Sequence, residues 1–230
     1  MSYDAKHRQV VLFGGTDFYG YLDDTWTWDG SAWTEQHPAT SPPSGCCSSM
    51  AYDTATQRLV LFDGETWTWD GSNWNDEDPP NSPFGRGFPA IASSGAHVVL
   101  NGGDLCFDDC SYFNDTWNWS GTTWVKRHPA TVPGARSVAA AAYDVTTGQT
   151  VLFGGSNDNK PPYVFGDTWT WNGINWTRRR PANSPPSRYY ASLAYDATSG
   201  VLVLFGGEGS QYFADTWTWN GITWACAAGC

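Results

Sequence analysis

The sequence lacks three features that would indicate common classes of protein: long apolar runs, an excess of basic residues and a helical pattern. No stretch approaches the roughly 18 consecutive apolar residues of a membrane-spanning helix, so we expect no membrane span. Lysine and arginine number 12 against 23 aspartates and glutamates, a formal net charge of −11. Because an acidic surface repels phosphate backbones, nucleic acid is not expected as a partner. No segment has the amphipathic period of a helix, so strands are the expected secondary structure.

Short catalytic motifs are also missing. The chain contains no Gly-x-Ser-x-Gly, no His-Glu-x-x-His and no phosphate-binding loop. His37 and His128, two of its four histidines, share the context His-Pro-Ala-Thr, which marks them as repeat residues. We therefore assign no catalytic residue and expect a non-enzymatic protein without a cofactor.

One pattern is abundant instead. All fifteen tryptophans lie in five copies of W-x-W-x4-W, namely Asp24–Trp33, Glu65–Trp74, Asp115–Trp124, Asp167–Trp176 and Asp215–Trp224. Threonine and tryptophan favour a pleated, half-buried strand. The dipeptide Asp29-Gly30, between the second and third tryptophans of the first copy, is a strong hairpin signal. So large a residue, used only in phase with a repeat, predicts packing between repeated units.

A second unit precedes each tryptophan pattern. It is an apolar run that ends in glycine, at 11–15, 60–64, 99–103, 151–155 and 203–207. Such a run indicates a strand buried on both faces, and a strand of small residues ending in Tyr-Asp comes before it in most copies. Each copy therefore predicts four antiparallel strands. Their repetition every roughly 46 residues is typical of the blades of a β-propeller.

These units together resemble the kelch repeat, which covers nearly the whole chain in five copies. The resemblance implies one all-β domain (1–230), a five-bladed kelch-type propeller of the galactose-oxidase-like superfamily with four antiparallel strands per blade. The N-terminal blade is expected to be incomplete. The expected blades are 1–35, 46–77, 86–127, 136–179 and 188–226. The family includes partner-binding scaffolds, copper oxidases and iron-assisted specifier proteins, but no copper-oxidase set of imidazoles and tyrosines is visible here.

Cysteine usage predicts an oxidising compartment. Six cysteines, an even number outside the repeat pattern, favour disulfides. Cys106 and Cys110 flank one loop and are expected to bond to each other. No signal peptide is recognisable, so a secreted or extracytoplasmic location is inferred from the cysteines alone.

The remaining four cysteines suggest how the ring closes. We hypothesise that Cys226 or Cys230 bonds to Cys46 or Cys47, so that a disulfide replaces the usual exchange of strands between the first and last blades. A bridge that closes so long a loop would contribute on the order of 4–5 kcal/mol on the chain-entropy model. The alternative is a bond from the terminal cysteines to another molecule.

The variable loops are the expected location of a binding site. In a propeller, the loops between second and third strands emerge on the same face as the connections between blades, and loops on a rigid scaffold usually carry function. In the second copy Glu65 follows Gly64 directly, so this repeat has no loop between its second and third strands. The missing loop predicts a notch in this face. Aromatic rings, carboxylates and amides suit sugar or peptide binding. The candidate residues are Asp17, Phe18, Tyr19, Tyr112, Asn157, Asp158, Tyr163 and Tyr212.

Three arginines recur just before the small-residue strands. Arg86, Arg136 and Arg188 are expected to ring one mouth of the axial channel. There they would bind an anion or, as the alternative, donate to loop carbonyls. The aspartates that open each tryptophan pattern are in phase with the repeat and are expected to cap backbone N–H groups.

A calcium site is the one metal site that the pattern suggests. Asp104, Asp108 and Asp109 are out of phase with the repeat, and carboxylate oxygens are ligands that Ca²⁺ prefers. The alternative is a solvated acidic loop.

Three functions remain open on the sequence. The first is a non-enzymatic binding module that contacts a protein or glycan partner through the loop face. The second is a structural subunit of an extracellular assembly or filament, with self-association through the incomplete first blade and the terminal cysteines. The third is a glycan-binding lectin or lyase that acts in the notch.

Overall fold

The computed structural model describes residues 1–45, 47–106 and 109–230, which form strands and turns only. Five four-stranded antiparallel sheets surround a common axis as a five-bladed β-propeller, which confirms the all-β prediction. In these ranges no helix is long and apolar enough to cross a membrane.

The strands follow one another through each sheet in chain order. Blade 1 contains β1 (Ser2–Asp4), β2 (Gln9–Thr16), β3 (Tyr21–Trp28) and β4 (Trp33–Gln36). Blade 2 contains β5 (Ser49–Asp53), β6 (Arg58–Phe62), β7 (Thr66–Trp69) and β8 (Trp74–Asp76). Blade 3 contains β9 (Ala90–Ser93), β10 (Val98–Asn101), β13 (Thr116–Trp119) and β14 (Trp124–Arg127), with the hairpin β11 (Asp104–Cys106) and β12 (Cys110–Tyr112) in its loop. Blade 4 contains β15 (Ala140–Asp144), β16 (Gln149–Phe153), β17 (Thr168–Trp171) and β18 (Trp176–Arg179). Blade 5 contains β19 (Ser192–Asp196), β20 (Val201–Phe205), β21 (Thr216–Trp219) and β22 (Trp224–Ala228).

The turn between the third and fourth strands is fixed by a side chain. In blade 1 the Asp29 carboxylate accepts hydrogen bonds from the backbone N–H groups of Ser31 and Ala32, at 2.7 and 2.9 Å. Asp or Asn at this position mimics a backbone turn, and the glycine that follows adopts the left-handed conformation, with φ +104° at Gly30. The turn sets the register that places the second tryptophan opposite the third, Trp28 against Trp33.

The small-residue strands lie innermost. β1, β5, β9, β15 and β19 contact one another in that order around the axis. The glycines that end the apolar runs allow a close approach of the next blade: a Cβ on Gly154, whose φ is +71°, would lie 2.2 Å from the carbonyl oxygen of Arg188. The inner strand of blade 1 is present but has only three residues.

In blades 2 to 5, the third tryptophan of the repeat joins two blades. Its indole N–H crosses to the blade before it and donates to the hydroxyl of the first threonine on the third strand there. The four bonds, each 2.9 or 3.0 Å, are Trp74 to Thr25, Trp124 to Thr66, Trp176 to Thr116 and Trp224 to Thr168. All four indoles are almost fully buried. The tryptophans therefore pack between blades, as their phase predicts.

Apolar packing surrounds each of these bonds. The core between blades 2 and 3 contains Phe62 and Val60 from one sheet and Trp119 and Trp124 from the next. Phe62 meets Trp124 edge to face, with ring centroids 5.9 Å apart. A buried aromatic side chain removes about 150–250 Å² from water, and apolar burial stabilises by about 25 cal/mol per Å². The cores thus lie between sheets rather than within one.

Two disulfides are seen between described residues. Cys106 bonds to Cys110 across the β11–β12 hairpin, as predicted. Cys226 bonds to Cys230, with Cα atoms 6.2 Å apart, so the hypothesis of a bond from the chain end to the adjacent pair is wrong. The physical reason is position: Cys226 lies on the outer strand β22, whereas Cys47 packs against Gly87 near the axis. Cys47 is itself disulfide-bonded, and Cys46 lies outside the described residues.

Thr168→Val tests the bond between blades. The change keeps the side-chain volume but leaves the buried N–H of Trp224 without an acceptor, and an unsatisfied buried donor costs about 1–3 kcal/mol. We expect the free energy of unfolding in urea to fall by this amount. The matched control is Thr216→Val, the equivalent position in blade 5, where the described residues supply no indole donor. An equal loss in both variants at low protein concentration would contradict the assignment.

Candidate functional site

An ion-paired unit recurs inside blades 3, 4 and 5. In blade 4, Arg136 lies 2.6 Å from the carboxylate of Asp167 and donates to the carbonyl of Gly154 at 2.8 Å. Its guanidinium carbon lies 3.8 Å from the ring centroid of Phe165. Asp167 also accepts the indole N–H of Trp169. The matching sets are Arg86, Asp115, Phe113 and Trp117 in blade 3, and Arg188, Asp215, Phe213 and Trp217 in blade 5.

This unit changes the interpretation of two sequence expectations. The side chains of Arg86, Arg136 and Arg188 are buried, so their guanidinium groups are not open to an anion from solvent. Each instead donates to carbonyls of its own blade's loops, the alternative that the sequence left open. Asp115, Asp167 and Asp215 accept from arginine and indole nitrogens, and Asp24 accepts from an indole nitrogen alone, so the expectation that these aspartates cap backbone N–H groups is wrong.

Blades 1 and 2 depart from the unit in different ways. Blade 2 has lost both partners, since Gly45 stands where the arginine would be and Glu65 replaces the aspartate. In blade 1, Asp24 still accepts the indole N–H of Trp26 at 2.6 Å. Its second carboxylate oxygen is buried and has no hydrogen-bond partner among the described residues.

The entries to three inner strands form a strained arc at one mouth of the axis. Phe88, Val138 and Tyr190 each lie two residues before an inner strand and each has a positive φ, of 50°, 50° and 56°. The N–H of Tyr190 donates to the carbonyl of Val138, that of Val138 to Phe88, and that of Phe88 to Cys47. Left-handed backbone at residues other than glycine costs of order 1–3 kcal/mol and clusters at functional sites.

Tyrosines and carboxylates gather at this mouth, in what we call the mouth cluster: Asp104, Tyr112, Asp158, Tyr189, Tyr190, Glu208 and Tyr212. The hydroxyl of Tyr112 in blade 3 donates to Asp158 of blade 4, at 3.1 Å. Tyr189 pairs with Glu208 and Glu208 with Tyr212 as isolated bridges. The ring of Tyr190 lies 5.3 Å from that of Tyr189 and 5.9 Å from that of Phe88, between centroids. Loops of three blades thus build one surface.

The field at the mouth cluster is negative. Burial, and then the carboxylates of Asp104, Glu208 and Asp158, raise the pKa of Tyr190 above its ordinary value. Burial and the Glu208 carboxylate likewise raise the pKa of Tyr189. Burial raises the pKa of Asp104, and the charge of Asp158 acts in the same direction. A field that opposes further negative charge favours a positive one at the same place.

The structure brings together some of the sequence candidates and separates others. Tyr112, Asp158 and Tyr212 lie in the mouth cluster. Asn157 is buried and donates to the carbonyl of Ala135, which supports the loop that carries Asp158. Tyr163 is exposed on that same loop.

The blade 1 candidates lie at the tip of the β2–β3 hairpin. Asp17 accepts from the N–H groups of Tyr19 and Gly20 and so shapes the turn. The rings of Phe18 and Tyr19 meet edge to face at 5.7 Å and are almost fully exposed. No described contact joins them to the mouth cluster.

The calcium candidates are spread along the β11–β12 hairpin. Asp104 pairs with Tyr112 at the base of the hairpin, whereas Asp109 lies between the two strands, directly before Cys110. Asp108 lies outside the described residues. No group of three or more metal-binding side chains occurs in the described ranges, and the calcium site stays a prediction.

Three members of the mouth cluster are missing from the sequence candidates: Tyr189, Tyr190 and Glu208. The sequence does contain a feature that could have identified them, because Tyr189 and Tyr190 are the two large residues at the entry of an otherwise small-residue inner strand. Glu208 directly follows a Gly-Gly pair, as Asp104 does, and this shared position marks it.

A separate concavity lies on the rim of blade 4. It has a volume of about 490 Å³ and is lined by Pro162, Phe165 and Arg178, beside the Arg136–Asp167 pair.

The notch expected in blade 2 corresponds to a short turn in which Asp63 accepts from the N–H of Glu65.

Comparison with solved structures shows likeness to a propeller. The chain is similar to the solved structure of YjhT, with a TM-score of 0.67 and 14% sequence identity over 96% of this chain and 81% of that chain. At this identity the likeness shows the fold alone. No family model matches the sequence, and no curated protein matches it.

Asp215→Asn tests the ion-paired unit through pH. Hydrogen bonds from Arg188 hold the pKa of Asp215 below its ordinary value, against the opposing effect of burial. A lowered pKa contributes stability that is complete above the unfolded-state value, near 3.8, and is lost as pH falls through the folded value. We expect the variant to lose about 3–5 kcal/mol at pH 7, because Arg188 stays buried without its partner. The free energy of unfolding of the variant should also fall less steeply below pH 4 than that of the parent protein.

Urea unfolding between pH 2.5 and pH 7 provides the measurement. The matched control is Glu65→Gln, at the equivalent position of blade 2, where no arginine is present and the side chain is exposed. We expect the control to differ from the parent protein by less than about 0.5 kcal/mol. Parallel pH curves for the parent and Asp215→Asn would show that the pair does not contribute.

Proposed function

We propose that this propeller is a non-enzymatic interaction module whose mouth cluster binds a basic group on a protein partner. The observation that carries the proposal is the convergence of three carboxylates with four tyrosines from three blades. The propeller supplies a rigid frame, since the loops start from sheets joined by buried tryptophans.

The chemistry of the cluster suits a guanidinium or ammonium group. A hydrogen bond to a charged group contributes about 1.5–3 kcal/mol, and a cation over a tyrosine ring contributes about 0.5–1 kcal/mol at an exposed site. The net charge of −11 attracts basic partners over longer range and raises association rates. The basic residues near the axis do not oppose this, because Arg86, Arg136 and Arg188 are paired and buried in their blades.

Glycan binding is the second candidate. Tyr212 is 82% exposed and Tyr19 is 93% exposed, and open aromatic faces next to carboxylates can stack on sugar rings and accept from their hydroxyls. A neutral sugar would gain nothing from the negative field, which is why the basic partner is the first proposal.

The kelch type and the compartment belong to the same proposal. Five copies of an apolar run ending in glycine, followed by two tryptophans on the third strand and one on the fourth, support the kelch assignment. The two disulfide pairs are consistent with an extracellular location. A structural subunit is the remaining alternative, but the terminal cysteines are bonded to each other and do not supply a covalent link.

The double variant Asp158→Asn and Glu208→Gln tests the proposed site. The probe is a fluorescein-labelled tri-arginine peptide, with a tri-glycine peptide as the neutral control, followed by fluorescence anisotropy. We expect the double variant to bind tri-arginine at least about tenfold more weakly, since tenfold corresponds to about 1.4 kcal/mol. Binding to the parent protein should weaken as salt rises.

The matched control is Glu35→Gln, a lone exposed carboxylate on the outer strand of blade 1. It should leave the affinity unchanged. Equal affinity of the parent protein for tri-arginine and tri-glycine would contradict the proposal. Binding to a sugar on a glycan array, lost in Tyr212→Ala but not in the double variant, would favour the second candidate.

A further inference from the structure

The contact between neighbouring blades has two complementary sides. One side presents the second and third tryptophans of a repeat, as in Trp69 and Trp74 of blade 2. The other side belongs to the blade before it and presents the phenylalanine of the second strand and the first threonine of the third, as in Phe13 and Thr25 of blade 1. Four such contacts bury both sides within the chain, with buried Asn101 in place of the phenylalanine in blade 3.

Blade 5 presents the second side without a partner. We define its acceptor face as Val203, Phe205, Thr216 and Thr218. Phe205 is 55% exposed, whereas Phe153, its equivalent in blade 4, is 1% exposed. Val203, Thr216 and Thr218 are half-buried, although their blade 4 equivalents are buried. The residue types of the acceptor face match those of the buried face of blade 4, so blade 5 keeps the side chains that this contact requires.

Blade 1 presents the first side without a partner. We define its donor face as Trp28 and Trp33. Trp33 is 44% exposed, whereas the third tryptophans of the other four blades are at most 2% exposed. Its ring centroid lies 5.7 Å from that of Trp28, the same tilted arrangement as in the buried pairs. The donor face thus has the geometry of its four buried counterparts.

The two faces do not cover each other. The inner strands contact in the order β1, β5, β9, β15, β19, and β19 makes no comparable contact with β1. In the part of the chain that the structure describes, the indole N–H of Trp33 has no hydrogen-bond acceptor of the kind that the other four have. Both halves of one interface are therefore displayed on one molecule.

We propose that a second copy of this chain occupies the acceptor face, with Trp33 of one copy packed on Phe205 of the other. The indole N–H of Trp33 donates to the hydroxyl of Thr216, which continues the series of contacts between blades. The argument is continuity with an established interface: the tryptophan–threonine hydrogen bond already forms four times in the chain, and the tryptophan–phenylalanine contact forms three times. Covering an exposed tryptophan and phenylalanine removes apolar area from water, which favours association.

The contact is head to tail, since the two faces differ. Such heterologous contacts form a ring where the rotation closes and an open filament where it does not. The association is not covalent, because Cys226 and Cys230 are bonded to each other. Mild reductant that leaves the fold intact should therefore not dissociate it.

Two single variants, Trp33→Asp and Phe205→Asp, test the contact. Each removes one face and leaves the other, so sedimentation velocity should show both as monomers when the parent protein associates with rising concentration. Mixed in equal amounts, they have one intact donor face and one intact acceptor face between them. We expect the mixture to form a one-to-one dimer that grows no further.

The mixture also controls for folding, because a misfolded variant could not restore the dimer. Ile222→Asp is the matched control: Ile222 is 79% exposed, in the turn of blade 5, and belongs to neither face. It should associate like the parent protein. The proposal is overturned if the parent protein stays monomeric up to high micromolar concentration, or if the mixture yields no dimer. A monomeric parent protein is the result expected if the two faces close on each other within one chain.

Discussion

The hydrogen bond from a buried indole N–H to a threonine hydroxyl of the preceding blade is the interaction on which the rest of the structure depends. It is made four times within 2.9–3.0 Å, and each bond lies inside an apolar layer between two sheets. A buried donor without an acceptor is costly, so the bond fixes how one sheet sits on the next. That orientation brings the ends of the inner strands to the axis and thereby places Phe88, Val138 and Tyr190 around one mouth.

The sequence predicts the blades well because their information is local. Tryptophan phase, Asp-Gly or Asn-Gly turns and apolar runs ending in glycine each act within about ten residues, and together they specify four strands per repeat. The ion-paired unit is harder to predict. Arg136 and Asp167 are each visible as repeat residues, but their pairing depends on how the loop after Gly154 folds back over Phe165.

The site is less predictable than the fold because three separate loops build it. Tyr112 and Asp158 were recognisable as loop residues with suitable chemistry, yet nothing local indicates that they meet across two blades. Tyr190 was visible only as an oversized residue in a small-residue strand. Its left-handed backbone follows from its hydrogen bond to Val138, which exists only once the blades are assembled. The chain-end disulfide escaped prediction for the same reason, since β22 carries Cys226 away from the axis.

The confinement of the arginine–aspartate unit to a single blade has a consequence for how such a chain can change over generations. Blades 3, 4 and 5 each bring their own charge compensation and their own tryptophan and threonine surfaces. Duplication or deletion of one of these repeats in the gene therefore leaves no buried arginine stranded at the new junction. Blade 1 is the counterexample, since Asp24 stays in place without an arginine and keeps one buried oxygen unpaired.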